Sequence, residues 1–152
     1  MTTDSKRDEL VLRRVIDAPR ALVFAAFTDP KHLEKWWGPH GFTSPMVDVD
    51  ARPGGAMNID MRSPDGVTYP GCGTYREVVE PERIVFSSGL TEDGVTKFEV
   101  LNTITLVDLD GKTELTLHAR VLSQTPGMEA HLDGMAEGWS QSLEKLATHL
   151  SV

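Results

Sequence analysis

Cysteine occurs once in this chain of 152 residues, at Cys72, so neither an intrachain disulfide nor a Cys-x-x-Cys redox or zinc pair can form. Such sparing use is what a reducing cytoplasm permits, and the cytoplasm is the expected location. Basic residues are scarce as well. Fifteen Lys and Arg stand against 23 Asp and Glu, a net charge of -8, and a surface of that sign repels phosphate backbones and anionic lipid. Nucleic acid is therefore not an expected partner. No segment approaches the roughly 18 uncharged apolar residues of a membrane span. The first nine residues mix Thr, Asp, Ser, Lys and Arg and lack the apolar stretch of a secretory signal. Common catalytic signatures are missing too: there is no GxSxG elbow, HExxH pair, Walker loop or GxGxxG before a helix. The five histidines, His32, His40, His118, His131 and His149, include no i, i+4 pair, so no metal and no cofactor is expected.

What is present is enough apolar material, 39% of residues, for one core. A disordered tail over residues 1–9 and a single domain over 10–152 are expected. Residues 10–17 are apolar and β-branched at several positions and read as a strand, which Pro19 ends by opening a helix at its N1 position. Leu22, Val23, Ala26 and Phe27 then recur at helical spacing. Asp29 caps a second short helix with Pro30 at its first position and Trp36 and Trp37 near its end, before Gly38-Pro39 stops it. From residue 42 to 121 the pattern turns to period two, cut by Pro/Gly/Asp turns into six strands near 42–50, 56–63, 68–79, 83–90, 98–109 and 113–122. With the first strand this predicts a seven-stranded curved antiparallel sheet. After Thr125-Pro126-Gly127 the residues Met128, Leu132, Met135, Trp139, Leu143, Leu146 and Leu150 are spaced 4, 3, 4, 4, 3 and 4 apart, one apolar stripe on a helix of about 23 residues and about 35 Å. The fold class is α+β, with the sheet gripping the long C-terminal helix.

Three segments then carry a family resemblance: Ile16-Asp17-Ala18-Pro19 with Val23-Phe24, Leu33-Glu34-Lys35-Trp36-Trp37-Gly38-Pro39, and Gly138-Trp139-Ser140-Gln141-Ser142-Leu143-Glu144-Lys145-Leu146. Together with the element order they resemble the Bet v 1-like or START-like superfamily, and within it the branch named for homology to the activator of Hsp90 ATPase. The resemblance implies a helix-grip fold with an apolar cavity between helix and sheet, a cavity that relatives use for lipids, sterols, polyketides and plant hormones. The co-chaperone role belongs to a larger eukaryotic protein with a separate N-terminal domain, so a binding module is the expectation here.

Candidate cavity residues follow from position. At about 100° per residue, His131, Gly138 and Ser142 gather on one flank of the helix stripe that holds Met135 and Trp139. Gly138 costs about 1 kcal/mol relative to Ala in a helix, which points to a close neighbour, either ordinary packing or a ligand. Trp36 and Trp37 point about 100° apart and form either a plug over the core or a ligand platform. Met57, Ile59 and Met61 offer soft lining on one strand face, and Phe42 and Phe86 extend it. Tyr69 and Tyr75 share strand parity, so either hydroxyl could orient a ligand, while Asn102 shares parity with Ile104 and as a buried amide needs partners. Gly71-Cys72-Gly73 reads as a bulge or a close backbone approach, and Cys72 as packing.

The leading expectation is binding of a small apolar molecule (lipid, isoprenoid or aromatic polyketide) as carrier or sensor. A cyclase or dehydratase using His131 and Tyr75 as acid and base is one alternative. A protein-interaction module, as a homodimer or in contact with an Hsp90-type chaperone, is the other.

Overall fold

The computed structural model describes residues 9–124 and 134–151. Strand β1 (Glu9–Ile16) opens the described chain, so Glu9 belongs to the ladder and not to a tail. Residues 1–8, the rest of the expected tail, lie outside the described residues. Pro19 follows after two residues and cannot donate to a ladder. It acts as N-cap of helix α1 (Arg20–Thr28), one position before the expected N1, and its carbonyl accepts from the amides of Leu22 and Val23. The helix buries Val23, Phe24, Ala26 and Phe27, whereas Leu22, expected in that stripe, is 36% exposed. Helix α2 (Pro30–Trp36) starts as its sequence requires, with Asp29 Oδ1 accepting from the Lys31 amide at 2.9 Å and Pro30 in the first turn.

Among the described residues the principal sheet has five strands, not the expected seven. Strands β6 (Gly71–Val79), β7 (Arg83–Glu92), β8 (Val95–Leu109) and β9 (Lys112–Gln124) form an antiparallel meander, and β1 pairs with β9 to give the order β1-β9-β8-β7-β6. The expected strands at 42–50 and 56–63 survive only as short ribbons: β2 (Val47–Val49) with β3 (Met57–Ile59), and β4 (Met61–Arg62) with β5 (Thr68–Tyr69). Pro70, lacking an N–H, breaks the expected 68–79 strand into β5 and β6. The β2–β3 ribbon still docks on the sheet's β6 edge. The Gly54 amide donates to the Tyr75 carbonyl and the Tyr75 amide to the Gly55 carbonyl across this junction, and the Gly73 amide donates to Asn58 Oδ1 at 3.1 Å.

A Cβ on Gly73 would lie 1.9 Å from the Ser87 carbonyl oxygen, and one on Gly71 would lie 2.2 Å from that of Ile59. Backbone therefore passes backbone too closely for any side chain, which accounts for the paired glycines around Cys72. The register shift in β6 lies farther on, between Tyr75 and Glu77.

Along β8 and β9 alternate residues face the core: Val100, Asn102, Ile104 and Leu106 on one strand, Thr113, Leu115, Leu117 and Ala119 on the next. Helix α3 (Met135–Leu150), 16 residues and about 24 Å long, lies over this face. The described helix is shorter than expected, and the earlier part of the expected stripe, Met128 and Leu132, falls outside the described residues. Leu143, Leu146 and Leu150 pack into one cluster with Ile16, Val23, Leu33 and Ile104. Trp36 is wholly buried there, its Nε1 donating to the Ala26 carbonyl at 2.9 Å and its ring edge-on to Phe27. Of the two roles open to the tryptophan pair, plug or ligand platform, Trp36 sits as a plug in the core.

At the far end of α3, His149 Nε2 lies 2.8 Å from His32 Nδ1 on α2. Burial and the charges of His32 and Lys35 hold the His149 imidazole below the ordinary histidine range. As pH falls below about 6.5 the unfolded chain takes up a proton that the folded chain resists, so stability declines with acidification and is flat above that range. Thermal unfolding from pH 7.5 to 5 is expected to show a steeper fall for the wild type than for His149→Gln; parallel curves would count against the assignment.

Candidate functional site

The two halves of α3 do different things. Its C-terminal half is packed into the core, but the first turns carry Gly138 and Ser142 toward the sheet, side chains too small to reach it. The space left is a cavity of about 370 Å³. Met135, Gly138, Trp139 and Ser142 of α3 form one wall, with Gly134 at the rim. The turn after α2 contributes Trp37, Gly38, Pro39 and Phe42. The ribbons contribute Met57, Ile59, Met61 and Tyr69, and the chain from Pro70 to Cys72 closes the side. The floor is Ser88, Gly89 and Leu90 of β7 with Phe98, Val100 and Asn102 of β8.

Helix α2 ends at Trp36, and Trp37, already extended at φ -64° and ψ 134°, lies half-buried between the core cluster and the cavity. The Trp37 ring meets Trp36 and Trp139, each at 5.5 Å between centroids and nearly edge-on, so a chain of aromatic contacts runs from the buried plug to the cavity wall. Gly38 follows with φ +97°, a left-handed conformation that reverses the chain there. The turn is then fixed to α3. Lys145 Nζ donates to the carbonyls of Gly38, Pro39 and Phe42 at 3.2 to 3.3 Å, and the His40 amide donates to Gln141 Oε1. His40 Nε2 also meets Glu144 Oε1 at 2.9 Å. Partial burial pushes the Lys145 ammonium below the usual lysine range, yet three carbonyl dipoles satisfy its donors.

Asn102 is the polar exception on the floor. It is fully buried, and its Nδ2 donates to the Phe86 carbonyl at 3.3 Å and to Ser88 Oγ at 2.9 Å, while Oδ1 has no hydrogen-bond partner. The carbonyl can only accept, which fixes which end of the amide is which.

Of the residues singled out from the sequence, the fold gathers Trp37, Phe42, Met57, Ile59, Met61, Asn102, Met135, Gly138, Trp139 and Ser142 around this one space. Trp36, Tyr75, Phe86 and Ile104 lie in the solid core instead. Tyr75 is fully buried, its hydroxyl donates to the Phe27 carbonyl at 2.9 Å, and burial pushes its pKa far up, so it offers no proton to a cavity ligand. Tyr69, on a separate strand, is the tyrosine that lines the space. His131 lies outside the described residues. Sequence reasoning passed over Leu90, Phe98 and Val100 as lining. Phe98 and Val100 share the parity of Asn102 and were findable by extending it two turns of the pleat, whereas Pro39 and Pro70 arrive through loops with no periodic signal. Among the described residues no group of three or more His, Cys, Asp or Glu is placed to hold a metal ion, and no helix is long and apolar enough to cross a membrane.

Residues 17–151 match the sequence pattern of the family described as Activator of Hsp90 ATPase homolog 1-like protein. The chain belongs to that family. Solved structures agree over nearly the full length. The crystal structure of protein CV1439 from Chromobacterium violaceum is 31% identical with a TM-score of 0.79, covering 95% of this chain and 98% of that one. Protein Ms6760 from Mycobacterium smegmatis is 28% identical with a TM-score of 0.82, covering 99% and 95%. The AHSA1 protein SPO3351 from Silicibacter pomeroyi is 27% identical with a TM-score of 0.79, covering 94% and 97%. None of the curated proteins matches the chain.

Two substitutions test this account of the cavity wall. A Cβ on Gly138 would lie 3.6 Å from Pro39 Cγ, an ordinary contact, so packing alone does not require glycine there. Gly138→Ala should stabilise the fold by about 0.5–1 kcal/mol in urea unfolding. Lys145→Met removes three charge-assisted hydrogen bonds from the rim and should cost about 1–2 kcal/mol; hydrogen exchange of the amides of residues 38–42 should rise with it, and unchanged exchange would show that the lysine does not hold the turn.

Proposed function

We propose that this protein binds a small, largely apolar molecule between the first turns of α3 and the sheet, as a carrier or sensor. What carries the reading is that the helix spans a space of about 370 Å³ and leaves it unfilled. That volume is in the range of small-molecule sites, and apolar and aromatic side chains dominate its lining. Ordinary cores are packed to crystal-like density, and a gap of this size forfeits dispersion contacts that larger side chains at positions 138 and 142 would supply. Trp37, Trp139, Phe42 and Phe98 provide flat faces, and Met57, Met61 and Met135 provide adaptable ones.

Tyr75, one of the residues considered for catalysis, spends its hydroxyl on the Phe27 carbonyl outside the cavity. Binding of a molecule to the folded state alone raises stability by about 2.7 kcal/mol at a ligand concentration one hundred times Kd. For a chain of this length that corresponds to roughly 5–10 °C in Tm. A thermal-shift screen of fatty alcohols, isoprenoids and aromatic polyketides should therefore yield shifts of that size for the wild type. Met135→Trp, which narrows the cavity, should reduce them. The absence of any shift in the wild type would overturn the reading.

A further inference from the structure

We infer that the cavity selects a neutral molecule bearing a hydroxyl group, in preference to an ether or a carboxylate, with the hydroxyl proton given to Asn102 Oδ1. The inference rests on the cavity-binding reading and adds to it the polar group of the ligand. Two observations carry it. The first is that Asn102, which lines the cavity, has a buried acceptor, Oδ1, without a partner. A buried amide oxygen left unpaired is costly, and a ligand O–H on the cavity side removes that cost. An ether oxygen cannot, having no proton to give. Ser88 completes the pattern. Its Oγ accepts from Asn102 Nδ2 at 2.9 Å, which leaves the serine proton to be donated, so the wall pairs an acceptor with a donor, as a hydroxyl does.

The second observation is the charge of the wall. Every described residue lining the cavity is uncharged. Lys145, at the rim, directs its ammonium to three backbone carbonyls. A carboxylate entering this space would be desolvated beside an amide oxygen, with no described lining cation to compensate, so it is rejected. A neutral hydroxyl meets no such barrier, and aromatic lining beside it favours a phenolic or ring-bearing alcohol.

The test is a matched set of probes with one skeleton: 4-butylphenol, 4-butylanisole and 4-butylbenzoate, titrated at pH 7 by calorimetry and tryptophan fluorescence. The phenol should bind at least tenfold more tightly than the anisole, and the benzoate should show no saturable binding. In Asn102→Leu the phenol should weaken until it matches the anisole within about twofold. The wild-type comparison needs no variant, so a misfolded Asn102→Leu leaves the inference exposed to refutation. Phenol and anisole binding alike in the wild type, both weakened by Met135→Trp, would overturn hydroxyl selection while the cavity reading stands. Benzoate binding as tightly as phenol would overturn it as well. Failure of all three probes to bind would remove the inference and the cavity reading together.

Discussion

The burial of Leu143, Leu146 and Leu150 against β1, α1 and α2 is the contact on which the rest depends. Each buried leucine contributes about 1.5–3 kcal/mol, and together they fix the axis of α3 at one end. With that end anchored, the other end extends over the sheet, where Trp139 and Met135 pack against core residues. Gly138 and Ser142 then face a sheet they do not reach. The cavity is thus a consequence of a helix whose two halves carry different residues on one continuous stripe.

The same helix also holds the mouth of the cavity. The turn after α2 carries no regular structure of its own, and its carbonyls would need water were it not for Lys145. One ammonium from α3 gathers three of them, and Gln141 takes the His40 amide. The turn is therefore tied to the helix, and Trp37, at the start of that turn, lies against Trp139. Trp36 secures the opposite side of the same turn by filling the core.

Set within this apolar enclosure, Asn102 is a local inconsistency of the kind that marks a site. Its neighbours on β8, Val100 and Ile104, are apolar, and an apolar residue there would satisfy packing without an unpaired oxygen. Hydrogen bonds to Phe86 and Ser88 hold the amide, so its free oxygen is fixed in place by the strand pair.

The chain's own pattern determined the helices, the period-two strands and the apolar stripe of α3, because these arise from local spacing and from breakers such as Pro19 and Pro30. It also placed Gly138, Ser142 and Asn102 on the faces that matter, since side-chain direction follows from helical and pleated periodicity. Which of two adjacent tryptophans fills the core was decided only by where α2 ends, and whether a tyrosine lines the cavity or bonds buried backbone only by the break at Pro70 between β5 and β6. Tertiary structure alone reduced the sheet to five strands and brought residues 37–42 and 69–72 to one space. Those choices depend on contacts between segments distant in the chain, and such contacts leave no periodic trace in the order of residues.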